Sequence, residues 1–530
     1  MIHNFVVARC LKIWYAVCNL RLNRSIFFEG PERLMAKQPN IIFLMTDQQR
    51  FDTVGALGNP ITQTPGLDRL VREGTSFTSA YCPSAVCVAS RCSFLLGQWP
   101  HQTECTSNSA MPQDRVSVME LLNEAGYQTH GIGKMHFTPQ GRKMWGFETR
   151  DYSEEGPGPD DFTEFLGENG YDHIVAPHGE RSEYYYIPQP SQLPARLHHT
   201  QWVGDRTLQF LSQRDASRPF LCWSSFIKPH PPFESPVPWN RLYRTVEMPL
   251  PFLPPDYEHL HTYWNRHQNR YKYRDQGRDM NLLRTMRAAY YAAISFIDYQ
   301  VGRILEYLES EGELDNTLIL YTSDHGELLG DYDCYGKRSF LDAAARIPLL
   351  VRYPERFATN TQCDVPTSLV DVLPTSLGAA GLSPESDRSG MDLADIATGR
   401  AQRDAIVGQL GQESTGLYML LTDEYKYIYS AADRQEWLFR RLPGRLDERS
   451  LVGNPAYGRI LNDYRKRLIE WLRDDGYELP LDGDNWREFP PPAELENPDA
   501  GQLFQDGRSV SDQLPPGYSP HIDPLRPPKE

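Results

Sequence analysis

The sequence predicts an α/β layered fold on a largely parallel central sheet, with a smaller α+β part toward the C-terminus. Three observations predict it. Short apolar runs ending in polar clusters recur along the chain. Amphipathic helical patterns lie between them. Past residue 400 the character changes to several short strands and then one helix. Strands that alternate with helices pair in parallel, because each helix carries the chain back across a sheet face.

Residues 1–35 offer only a short apolar stretch at 13–20. Arg9 and Lys12 precede it, Arg21 and Arg24 follow it, and no small-residue cleavage site appears. They read as an N-terminal extension outside the fold rather than as an export signal. The expected compartment is therefore the cytoplasm, with periplasmic or secreted as the alternative. Residues 40–46 (NIIFLMT) predict the first strand, which delivers Asp47 and Gln48. A helix at 64–73 follows a Thr-Pro start, with Leu67 and Leu70 on one face. A second, at 117–125, stops at Gly126. Residues 127–132 predict a strand delivering Gly133-Lys134-Met135-His136, and 219–226 one delivering Lys228-Pro229-His230. Prolines crowd 229–257, an irregular surface segment near the site. A long amphipathic helix at 282–308 leads to a strand at 317–322, followed by Ser323-Asp324-His325-Gly326.

The main domain is placed at 36–400. A C-terminal α+β subdomain is placed at 401–480, with strands at 405–410, 416–421 and 426–429 and a helix at 457–472. A Pro-rich tail follows at 481–530. Ligands of parallel sheets bind beyond the carboxyl ends of the strands. Asp47, Lys134, His136, Lys228, His230, Asp324 and His325 are thus expected at one edge.

The chain has 530 residues and a formal net charge of −16, from 54 Lys+Arg against 70 Asp+Glu. That balance disfavours a nucleic-acid backbone binder, which needs a basic face. No run of about 20 uncharged apolar residues suits a membrane span. The acidity also argues at first against an anionic substrate, an inference the motifs reverse. Nine cysteines, an odd count, do not suggest a secreted disulfide scaffold. Cys82, Cys87 and Cys92 are spaced C-x4-C-x4-C, unlike the paired spacing of a zinc site.

Cys87 stands in PSAVCVASRCSFLLG, a Cys-x-Ala/Pro-Ser-Arg pentapeptide followed by an apolar helical run and Gly97. Alone, the match would describe a buried structural cysteine. It comes with NIIFLMTDQ, GKMHF, KPHPPF and SDHGELLGD in order, spanning about 40 to 354. Together these blocks resemble the type I sulfatase family of the alkaline-phosphatase-like superfamily. Asp47 or Asp324 by itself would read as a turn or capping residue; their joint appearance after apolar strands favours metal ligation.

The resemblance implies a mixed, mostly parallel sheet flanked by helices. It implies oxidation of Cys87 to formylglycine by a maturation enzyme. The hydrated aldehyde offers one hydroxyl to attack sulfur and a second whose deprotonation expels sulfate. It also implies one divalent cation on Asp47, Asp324, His325 and modified Cys87. Calcium is expected first, with manganese or magnesium as alternatives. Arg91 would hold the diol and the carboxylates. Lys134 would contact sulfate and diol, and His136 would take the second hydroxyl's proton. His230 would bind sulfate or protonate the leaving group, and Lys337 would neutralise the bridging oxygen. Gln48, Asn108 and Lys228 are further candidates; Gln48 and His325 replace a second Asp and an Asn common in the family. Two departures stand out: Ala89 where proline is commoner, and Cys92 after the arginine.

The expected activity is hydrolysis of a sulfate monoester, with a carbohydrate sulfate favoured by KPHPPF. Small-molecule sulfates are the alternative substrate. Alternatives of function are a phosphonate monoester or phosphodiester hydrolase using the same site, and a non-catalytic metal-stabilised binding protein. The last predicts missing charged groups, whereas each expected position is filled. No nucleic-acid or membrane partner is expected, and the oligomeric state is not legible.

Overall fold

A computed structural model describes residues 38–156, 158–181, 185–272, 279–384, 388–442 and 444–492. The N-terminal extension and most of the predicted tail lie outside the described residues. The unit that begins at Pro39 is built on eight strands. They are β1 (Asn40–Asp47), β2 (Thr75–Phe77), β3 (Gln128–Gly133), β4 (Thr149–Tyr152), β5 (Phe220–Pro229), β6 (Thr317–Ser323), β7 (Leu349–Arg352) and β8 (Thr361–Cys363). Their order in space is β8-β2-β7-β6-β1-β5-β3-β4. All neighbours are parallel except β7, which runs antiparallel to both β2 and β6. The sheet is therefore mixed and mostly parallel.

All eight residues of β1 are buried, as a central strand covered on both faces requires. Alternation sends Ile41, Phe43 and Met45 into one core and Ile42 and Leu44 into the other. Onto the second core pack α1 (Pro65–Glu73), α5 (His199–Gln213) and α7 (Met280–Ser310). On the first lie α2 (Cys87–Leu96), α3 (Val118–Glu124) and α8 (Val372–Ala379). Between α3 and α5 comes α4 (Asp161–Glu168), and between α5 and α7 comes α6 (Tyr263–Lys272). Every residue of α2 is buried; its Phe94 meets Phe43 edge-on at 5.2 Å and Trp223 at 4.8 Å.

The C-terminal part is an antiparallel sheet of β9 (Ile406–Leu410), β10 (Leu417–Leu421), β11 (Tyr425–Ser430) and β12 (Gln435–Arg440), followed by α9 (Gly458–Asp474). The fourth strand was not expected. Its sequence, QEWLFR, sets one apolar cluster between charges and shows no alternation. Its core residues Trp437 and Leu438 join the same cluster as Phe94 and Leu373 of the main layer. Among the described residues, no helix is long and apolar enough to cross a membrane.

Candidate active site

The site forms where β1 and β6, neighbours in the centre of the sheet, reach their carboxyl ends. Their ladder ends at Thr46 opposite Ser323, so Asp47 and Asp324 emerge side by side. Gln48 takes a left-handed φ of 70° and turns its backbone N–H onto Asp324 Oδ1 at 3.0 Å. The His325 Nδ1 lies 3.0 Å from Gly326 O. A carbonyl only accepts, so Nδ1 carries the proton and Nε2 is left with a lone pair for a metal. That Nε2 is 3.5 Å from Asp324 Oδ1, 3.8 Å from Asp47 Oδ1 and 3.3 Å from Cys87 Sγ.

Cys87 is the first residue of α2, and Val86 in extended conformation caps it without a side-chain bond. The thiol therefore sits where free N–H groups and the positive end of the helix meet. Asn108 Oδ1 accepts from Val88 N at 3.2 Å and satisfies one of those donors. Sγ stands where the oxygens of a matured residue 87 would lie. It is 2.7 Å from Lys337 Nζ and 3.9 Å from Asp47 Oδ1.

One turn along α2, Arg91 reaches both carboxylates: Nε donates to Asp324 Oδ2 at 2.8 Å and an NH2 group to Asp47 Oδ2 at 3.4 Å. Its NH1 donates to Lys134 O at 2.6 Å and Ser225 Oγ at 3.0 Å. Lys134 Nζ lies 2.6 Å from Asp47 Oδ2. Lys337 is held from behind by Gln268 on α6, whose Nε2 donates to Lys337 O and whose Oε1 accepts from Lys337 N.

Burial works against the charge on Asp47, but Lys134, His230, Lys337 and Arg91 hold it well below the usual carboxylate range. Burial and Asp47 push the Cys87 thiol up, yet Lys337, Lys134 and His325 bring it well below the usual thiol value. Burial pulls the His230 ring down; Glu155 and Asp47 oppose this, while Lys337 and Lys134 add to it. For His136, burial and Lys134 oppose protonation, and the Cys87 thiol and Glu154 still raise it.

The predicted residues Asp47, Cys87, Arg91, Lys134, His136, His230, Asp324, His325 and Lys337 thus converge. Lys134 and His136 stand two apart after a strand and in extended backbone would both face the site, but His136 arrives differently. Its backbone is left-handed (φ 57°), anchored by N–H donation to Glu154 Oε1 at 2.7 Å, rather than extended. Gln48 turns its amide nitrogen away, to Tyr186 and Glu327.

Lys228 does not join the cluster. Its Nζ goes to Pro232 O at 2.6 Å, Glu234 at 3.0 Å and His178 O at 3.1 Å. Residues 228 and 230 would share a face only in extended chain; β5 ends at Pro229, and His230 N turns back to Ile227 O. His101, His130 and His198 pair with Asp475, Asp151 and Glu234, respectively. Arg346 donates to Thr78 O. Cys92 packs with Cys105 in the core.

Missed by sequence reasoning were Ser225, Gln268 and Glu155. The last, in the loop after β4, places Oε2 within 3.1 Å of Lys134 Nζ and 3.0 Å of His230 Nδ1. Nothing in the spacing of DYSEEGPG marks it.

Asp47, Cys87, Asp324 and His325 offer ligand atoms that all lie within 4.8 Å of one another, and all four residues are buried. Two carboxylates, an imidazole lone pair and one further ligand suit a divalent cation. Arg91 and Lys134 offset the like charges of the two carboxylates.

A family model described as sulfatase matches residues 39–382, and one described as the C-terminal part of N-sulphoglucosamine sulphohydrolase matches 330–474. An arylsulfatase of Clostridium perfringens is 29% identical, over 83% of this chain and 96% of its own. An N-acetylglucosamine-6-O-sulfatase of Bacteroides thetaiotaomicron is 27% identical over 84% and 87%. The crystal structure of a phosphonate monoester hydrolase of Agrobacterium radiobacter superposes with a TM-score of 0.72 at 22% identity, over 82% of this chain and 96% of that one.

Proposed function

The chain belongs to the sulfatase family of sulfuric ester hydrolases, and on that footing we propose that it cleaves a small or terminal sulfate monoester with a formylglycine made from Cys87 and one divalent cation. The observation that carries this reading is the convergence of Asp47, Cys87, Asp324 and His325 under two lysines. Those four residues would hold the cation, which supplies charge neutralisation for the sulfate oxygens and acidifies the attacking hydroxyl. The oxygen donors favour calcium and leave magnesium as an alternative, and the imidazole admits manganese. Formylglycine supplies a diol oxygen as nucleophile in place of sulfur.

The remaining work falls to side chains already in place. Arg91 fixes the two carboxylates against each other. Lys134 and Lys337 bring positive charge to either side of residue 87, where an anionic ester binds and where charge develops on the bridging oxygen. His136, anchored through its N–H on Glu154 and within reach of residue 87, is suited to accept a proton there. His230 Nε2 is buried without a hydrogen-bond partner among the described residues, which suits a donor to the departing alcohol. A sugar sulfate is the favoured substrate class, supported by the glucosamine-sulfatase relative and the KPHPPF segment.

A second reading, phosphonate monoester hydrolysis, is favoured by the fold shared with such an enzyme. Side-by-side turnover of an aryl sulfate and an aryl phosphonate monoester separates the two. Higher kcat/KM on the sulfate is expected; a large phosphonate preference would overturn the proposal.

A further inference from the structure

We propose that Glu155 is a positioning residue for proton donation by His230, an inference that rests on the hydrolase reading above. The Glu155 side chain is 11% exposed, and its Oε2 is ringed by three cationic groups. These are His230 Nδ1 at 3.0 Å, Lys134 Nζ at 3.1 Å and an Arg181 NH1 at 3.4 Å. None of the three is aligned as a directed hydrogen bond to that oxygen. The hydrogen of His230 Nδ1 goes instead to Pro231 O, at 2.7 Å. The contacts of Glu155 are thus ionic, and its contribution is charge held in place.

Pro231 O assigns the tautomer. A carbonyl only accepts, so Nδ1 carries hydrogen and Nε2 is the working atom. Donation from Nε2 requires the ring to hold a second proton. Burial works hardest against that proton and holds the ring below its ordinary value; Glu155 and Asp47 favour the proton, and Lys337 and Lys134 oppose it. Asp47 is bound by Arg91 and Lys134 and belongs to the metal set, so its charge is already offset. Glu155 is the anion in direct contact with the ring, 3.0 Å from Nδ1, and it ties the ring to Lys134, which comes from a different strand end.

As the incoming oxygen bonds to sulfur, the ester S–O bond breaks and its electron pair stays on the alcohol oxygen. The Nε2 proton passes to that oxygen, leaving a neutral ring still protonated at Nδ1. Esters of weakly acidic alcohols need this proton most.

Glu155→Gln keeps shape and acceptor but removes charge. We would measure kcat and KM over aryl sulfates of graded leaving-group acidity, with formylglycine occupancy, metal content and Tm checked on each preparation. The expected result is a kcat loss of about 10- to 100-fold for the poorest leaving groups and under about threefold for the best, with KM little changed. H230A should show the same steepening, and adding E155Q to it should steepen nothing further. Equal loss across the series, no loss, or full additivity with H230A would overturn the proposal. If E155Q does not fold, E155D decides: a shallow dependence supports the role of the charge, a steep one contradicts it. Modified, metal-loaded wild type that turns over no sulfate ester would instead sink the hydrolase reading, and this proposal with it.

Discussion

Arg91 joins what would otherwise repel. Asp47 and Asp324 are both fully buried, and one guanidinium touches each while a second edge binds Lys134 O and Ser225 Oγ. A planar fork makes these contacts together, and a lysine ammonium cannot. Burial opposes its charge, but Asp324 and Asp47 raise its proton affinity, so it stays a cation at any working pH. Arg91→Lys is therefore expected to weaken divalent-metal affinity by about 10- to 100-fold, as loss of supporting contacts around metal ligands does. Titration of the metal-stripped variant by calorimetry checks this; unchanged affinity would contradict the bridging role.

Strand ends place the groups proposed as catalytic, and the residues that shape those ends are as constrained as the groups themselves. Gly133 closes β3 at φ +80°, and a Cβ there would lie 2.2 Å from Ser225 O, the atom that accepts from Lys134 N. Gly133→Ala should cost about 2 kcal/mol or more in denaturant unfolding, because it combines a left-handed backbone with a clash against main chain. It should also displace Lys134 and lower activity in the folded fraction.

In the C-terminal sheet, Lys426 of β11 is buried between Asp342 and Asp447, 2.6 Å from the latter. Tyr81 donates to Asp342 at 2.8 Å. Burial and Asp342 push Asp447 up to about 6, while Lys426 holds Asp342 below its usual value despite burial. Asp447 therefore binds its proton more tightly folded than unfolded. The stability this contributes is complete below the unfolded carboxyl value near 4 and is lost as pH rises through about 6. Asp447→Asn should remove that term, so wild-type Tm should fall relative to the variant between pH 4 and 7. Parallel pH profiles would show that the carboxyl does not titrate there.

The whole molecule is acidic, yet Arg91, Lys134 and Lys337 gather around residue 87. Net charge governs solubility and long-range steering, while a buried site answers to its neighbours. The proposed cation belongs to this balance. Two buried carboxylates closed over by β1 and β6 should be steadier with it, so chelation should lower both Tm and turnover. A cation restored at 100 times its Kd would return about 2.7 kcal/mol. No change in Tm between stripped and calcium-loaded protein would count against a bound ion.

Much of this was legible from residues in line. Asp47 and Asp324 could be read because apolar runs end just before them, and Cys87 because its pentapeptide opens a helix. Glu155 could not, since its role exists only where Lys134, His230 and Arg181 meet from separate segments. Lys228 was expected at the same edge because it follows a strand, but the chain turns at His230 and its ammonium goes to Glu234 and two carbonyls. The fourth strand of the C-terminal sheet was passed over because its apolar residues are contiguous.

The central claim is that residue 87 works as formylglycine. Mass spectrometry of the peptide spanning Cys87, from protein made in its native host, tests it directly. The account predicts an aldehyde or its hydrate in place of the thiol. Unmodified thiol at full occupancy in protein that hydrolyses sulfate esters would contradict it.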